Sequence, residues 1–143
     1  MNFLGSFPLL AIPVICYNFF AMMSRSDGRP AHPLLLNGEL TRIPMPSGEG
    51  IYWAISWGDI FLMGSMVLLF MEILKSVSGG RTVIINHALS MALFVLCLIE
   101  FLVLSPFATS VFFLLLLMTL LDVLAGFIVT IGTARRDISF SHD

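Results

Sequence analysis

The chain has 143 residues, 58% of them hydrophobic and only 11% charged, with a formal net charge of -2. Soluble domains run nearer about 45–50% apolar and about 25% charged, so this composition excludes a soluble globular enzyme and a disordered regulator. It also lacks the basic face of a nucleic-acid binder, and a mean hydropathy of +0.99 reads as an all-α integral membrane protein.

Crossing a hydrocarbon core of about 30 Å takes roughly 20 apolar residues of helix, and four stretches qualify. The first, 3–23, is uncharged and carries Pro8 and Pro13. With no Lys or Arg before it and no A-x-A-like site after it, it reads as a retained membrane helix and not a cleaved signal. The loop 24–50 follows, rich in Pro and Gly. Its Asn37-Gly38 pair, flanked by apolar residues, is the signal for a two-residue turn and predicts a short β-hairpin over 34–41; an irregular interfacial loop is the competing reading. The second span is 51–74, and Tyr52, Trp53 and Trp57 at its start predict aromatic anchors at one membrane face. The third is 83–105 and the fourth 107–134. The expected architecture is one membrane domain, four transmembrane helices in an antiparallel bundle. Lys75, Arg81, Arg135 and Arg136 are set against Arg25, Arg29 and Arg42 in the long loop. The denser short loop and tail place both termini in the cytoplasm.

Ionisable groups inside a span cost about 2.5–3.5 kcal/mol each on the insertion scale, so the acids in these segments carry information. Glu72 lies three residues before Lys75 and reads as an interfacial ion pair with the lysine snorkelling. Asp59, Glu100 and Asp122 have no basic partner at similar depth. Alternating helix directions put Asp59 and Glu100 near one level in the outer half, with Asp122 deeper. These three are the candidate intramembrane polar contacts or proton carriers: glue between helices, contacts to a neighbouring subunit, or proton handling.

Small residues let helices approach closely. Ala54, Gly58, Ser65 and Glu72 form such a stripe on the second span, and Thr119, Asp122, Gly126, Val129 and Thr133 form one on the fourth. Close packing of these two spans through Gly58, Ser65 and Gly126 is expected, with the Val111–Met118 half facing lipid or a partner. His87 has no second histidine facing it, so a b-type haem is not expected; it reads as a satisfied interfacial side chain. Cys16 and Cys97 form no CxxC or zinc spacing and read as apolar fillers. No catalytic constellation, cofactor site or metal site is expected.

His87-Ala88-Leu89-Ser90-Met91, Leu98-Ile99-Glu100-Phe101-Leu102, the stretch from Met118 to Phe127, and Ala134-Arg135-Arg136-Asp137 resemble small four-helix inner-membrane proteins of bacteria that have no assigned function. The resemblance implies a multi-pass inner-membrane protein and transfers no catalytic residue. Three function classes remain in play, of which a membrane-embedded enzyme has the least support in the residues. One is a non-catalytic accessory or assembly subunit of a larger membrane complex, partnered by lipid and by other subunits or copies of itself. Another is a small oligomeric proton- or cation-linked transporter working through Asp59, Glu100 and Asp122.

Overall fold

The computed structural model describes residues 7–23, 34–77 and 81–139. Among these residues the molecule is mostly helical, with four longer helices, a single helical turn and one two-stranded sheet. Helix α1 spans Ala11–Met23, the turn α2 spans Leu34–Asn37, and strands β1 and β2 span Glu39–Pro44 and Tyr52–Ser56. Helices α3 (Trp57–Val77) and α4 (Arg81–Val103), a 3₁₀ turn at Ser105–Phe107, and α5 (Ser110–Ser139) complete the chain. Three helices are long and apolar enough to cross a membrane, at Trp57–Ser76, Ile84–Val103 and Ser110–Gly132.

Helix α1 is shorter than the predicted first span, whose residues 3–6 lie outside the described residues. Its helical geometry begins only after Pro8, with the Ala11 amide donating to Pro8 O at 3.1 Å and the Ile12 amide to Leu9 O at 3.1 Å. Pro13 falls in the first turn, where its missing N–H costs nothing. At 13 residues α1 is an apolar helix below spanning length.

The predicted second span is corrected more deeply. Residues 52–56 are strand, and the helix starts at Trp57. The hairpin exists, but not around Asn37-Gly38. Those two residues close the α2 turn and lead into β1, and β1 pairs antiparallel with β2 from Glu39↔Ser56 to Pro44↔Tyr52, with an irregularity between Glu39 and Thr41. The connection is the longer segment after Pro44, closed by the Met45 amide donating to Ile51 O at 2.9 Å. Gly50, at φ 79°, supplies the left-handed residue this loop requires.

Helix packing follows from a few contacts. Gly58 at the start of α3 lies against the start of α5, where an added Cβ would meet Val111 Cγ2 at 2.9 Å and Leu36 O at 3.0 Å. The close approach expected of Gly58 is therefore present. Ser65 is buried and donates to Phe61 O of its own helix at 2.8 Å. Gly126 lies against α4, where an added Cβ would run into the His87 ring. Ala54 is an exposed residue of β2 and so stands outside the helix stripe expected of it. The main apolar cluster joins Val14, Tyr17 and Ala21 of α1 to Leu36, Cys97, Phe107, Phe112, Leu115 and Leu116. The Val111–Met118 half of α5 is thus split: Phe112, Leu115, Leu116 and Met118 are buried, while Phe113, Leu114 and Leu117 point outward.

Candidate functional site

Asp59 stands in the first turn of α3, not within the helix body. Its Oδ2 accepts from the Ser56 amide at 2.8 Å and from Ser56 Oγ at 2.8 Å, while the Asp59 amide donates to Ser56 Oγ at 3.2 Å. This is the reciprocal capping pattern of a serine and an acid three residues apart, and it satisfies amides that would otherwise be orphaned at the helix start. Glu100, in the last turn of α4, accepts from Asn18 Nδ2 of α1 at 3.2 Å. Among the described residues no hydrogen bond joins Asp59 to Glu100, so the expected pair of acids at one level becomes a cap and a helix-to-helix link.

The polar centre lies elsewhere, around Glu72, which is 0% exposed despite its charge. Its Oε2 accepts from the Leu9 amide at 2.6 Å, ahead of α1. Its Oε1 accepts from Asn86 Nδ2 of α4. Lys75 Nζ lies 3.1 Å from Oε1 and 3.3 Å from Oε2, and also donates to Phe7 O at 2.7 Å. The expected Glu72–Lys75 pair is present, but the glutamate is a buried junction of three chain segments and not an interfacial side chain. A carboxylate so deeply buried is tolerable only when its lone pairs are filled by donors, and here the donors are an ammonium, an amide side chain and a backbone amide.

Asp122 of α5 is also buried. Its carboxylate faces Ser90 of α4 and lies within electrostatic range of Glu72, Lys75 and His87. Helical spacing explains the gathering, since residues four apart share a face. Glu72 and Ser76 present one face of α3, Asn86 and Ser90 one face of α4, and Asp122 and Gly126 one face of α5. His87 packs edge-on against Phe127, with ring centroids 5.7 Å apart. Its Nδ1 is buried without a hydrogen-bond partner among the described residues, which corrects the expectation of a satisfied interfacial histidine. Ser76 Oγ, Asn86 Oδ1 and Ser90 Oγ are likewise buried without a hydrogen bond of normal geometry.

Sequence reasoning placed Asp122 among the candidates and missed Asn86, Ser76 and Ser90. The available signal was the four-residue spacing of Ser76 from Glu72 and of Ser90 from Asn86. No group of three or more His, Cys, Asp or Glu among the described residues is arranged to hold a metal ion.

At the other end, the aromatic anchors are exposed: Tyr52 58%, Trp53 52% and Trp57 50%. Leu40, Ile43, Met45 and Ile51 are exposed beside them on the hairpin. Arg42 and Glu39 form a side-chain pair on β1, with Arg42 Nη2 donating to Glu39 Oε2 at 2.9 Å. That bond holds the Glu39 carboxyl below the usual carboxylate range and raises Arg42 further. Beneath the hairpin, Phe20, Leu36, Trp57, Ile60 and Phe61 line an apolar recess of about 310 Å³.

Comparison with known protein families, curated proteins and solved structures returned no match.

Proposed function

We propose that this chain is a multi-pass protein of the bacterial inner membrane, an antiparallel four-helix bundle with both termini in the cytoplasm. Its role is that of a non-catalytic accessory or assembly subunit of a larger membrane complex. The single observation that carries this reading is the use of the acids: Asp59, Glu72 and Glu100 each accept hydrogen bonds within this chain. They act as internal fasteners, and a fastener holding a helix end or a neighbouring helix is not free to ferry protons. Function then falls to the outside, to apolar helix faces and to a hairpin presenting Tyr52, Trp53 and Trp57. Tyr and Trp suit the membrane–water boundary, where one part of the ring is apolar and the other wet.

The transport alternative draws support from Asp122 alone, the one predicted acid within electrostatic range of His87, whose buried Nδ1 has no hydrogen-bond partner among the described residues. Purification of the tagged full chain in gentle detergent, with mass analysis of everything that remains attached, separates the two readings. A stoichiometric partner protein supports the accessory role. A chain that purifies alone and, in liposomes, gives pH-dependent flux abolished by Asp122→Asn overturns it.

A further inference from the structure

The recess beneath the hairpin measures about 310 Å³ and is lined by Phe20 of α1, Leu36 of the α2 turn, and Trp57, Ile60 and Phe61 of α3. The three α3 residues stand three and four apart, so they share one face of that helix. Tyr17 meets Phe61 with ring centroids 6.3 Å apart, and Phe20 follows one turn later on α1, so the recess lies between α1 and α3 beside that contact. Among its five lining side chains the indole Nε1 of Trp57 is the only polar atom. A cavity with such walls stays dry. It also lacks the few converging polar groups that orient a cofactor or other compact ligand.

We propose that this recess binds one acyl chain of a membrane lipid, recognised by its shape and apolarity and not by its headgroup. The inference rests on the membrane reading of the chain and not on its role as a subunit. The stretch of α3 long and apolar enough to cross a membrane begins at Trp57, so the recess lies along the first turn of that stretch, the level at which acyl chains begin. Other occupants fit less well. Residues 24–33, which link α1 to α2, carry no large apolar side chain to place there. A partner protein is the wrong size: a helix is about 10–12 Å across, and a stable interface engages about 20–30 residues a side, against the five that line this recess. A single hydrocarbon chain matches. At about 30 Å³ for a water-sized unit, the recess takes roughly ten methylene groups. Bound there, the chain bridges α1, the α2 turn and α3.

Tryptophan fluorescence tests the site. The chain has two tryptophans, and of these only Trp57 lines the recess, so the Trp53→Phe variant reports on it alone. The full chain is held in a steroid-based detergent, whose rigid rings do not enter as a chain does, and titrated with phosphatidylcholine carrying brominated acyl chains, which quench an indole on contact. The expected result is quenching that saturates, with emission restored by the unbrominated lipid. Phosphatidylglycerol with the same brominated chains should half-saturate at the same concentration. Ile60→Phe, which puts a ring into the recess, should raise half-saturating lipid about tenfold. It should also leave the thermal midpoint less responsive to added lipid, since a ligand stabilises only the form that binds it. Trp57 emission that ignores the brominated lipid overturns the proposal. So does quenching unchanged by Ile60→Phe, which would place the chain elsewhere, or binding that follows the headgroup. A protein that stays soluble once detergent is removed rejects the membrane reading itself, and the lipid site with it.

Discussion

At the hairpin end of the helices Tyr17 lies among Phe61, Phe107 and Phe112, its ring 4.7 Å from that of Phe112 and 5.6 Å from that of Phe107. Its hydroxyl pairs with Thr109 Oγ1 at 2.6 Å, and Thr109 Oγ1 also accepts the Phe112 amide at 3.1 Å, capping α5. At the opposite end Glu72, Asn86, Ser90 and Asp122 occupy the equivalent interior positions. The first junction is apolar with one polar chain of contacts, fully paired. The second is polar, charged, and left with oxygens over. In lipid the apolar junction gains little from burial itself, because acyl tails are as apolar as phenyl rings, and its worth lies in packing. The polar junction gains more from being made, and loses more from being half-made, because a buried charge without its partner is expensive. One end supplies shape and the other supplies specificity.

Removing the centre of the polar junction should break this contrast most severely. Glu72→Leu leaves Lys75, Asn86 and the Leu9 amide without their acceptor. It should cost about 3–5 kcal/mol, the usual penalty for removing one partner of a buried ion pair, seen as a large fall in the thermal midpoint in detergent. A variant as stable as the parent would show that Glu72 is not the fastener. Gly126→Leu comes next. With the His87 ring already against the Gly126 backbone, overpacking should cost about 1–3 kcal/mol. A companion His87→Ala change should recover part of that loss, whereas mutation of Ser65 should not. In the apolar junction, Tyr17→Phe removes only the hydroxyl. It should cost about 0.5–1.5 kcal/mol, the net value of one hydrogen bond, and Thr109→Val should add little on top of it.

The smallest effect belongs to the hairpin. Glu39 is held below its ordinary value by Arg42. Its contribution is therefore present above the unfolded carboxylate value and is lost as pH falls through the lowered folded value. Acidification through that window should shift the Arg42 side-chain resonance in an NMR spectrum without moving the global unfolding midpoint. A global shift traced to this pair by Glu39→Gln would contradict its exposed position.

Length and apolarity were enough to read α3, α4 and α5 from the sequence, because bilayer thickness sets a requirement that a run of side chains either meets or does not. They were not enough to find where α3 begins. Ile51 to Trp57 is apolar whether it is strand or helix, so a hydropathy count passes through the boundary unmarked. The local clue was chemical: Ser56 and Asp59 stand at capping-box spacing, and reading them that way would have moved Asp59 from the middle of a span to its threshold. Asn37-Gly38 misled for the opposite reason. A strong turn dipeptide was present, but the chain used it to leave a helical turn, and the hairpin reversed through the Pro46–Gly50 segment. Glu72 was legible as the partner of Lys75, three residues away. Its other partners, Leu9 and Asn86, are 63 and 14 residues distant, and no local pattern announces them. Gly126 was recognised as a contact residue, while which helix it touches depended on the rotation of α4 about its own axis.

The bond between the Leu9 amide and Glu72 also bears on the order in which the molecule is made. Leu9 leaves the ribosome 63 residues ahead of the carboxylate that receives it. Until α3 has followed, the segment before α1 has neither that acceptor nor the Lys75 ammonium that holds Phe7 O. Asn18 waits longer still, for Glu100. Helix α1 and the segment before it thus gain these polar partners only from helices that follow them in the chain, so their fastening must wait for those later helices.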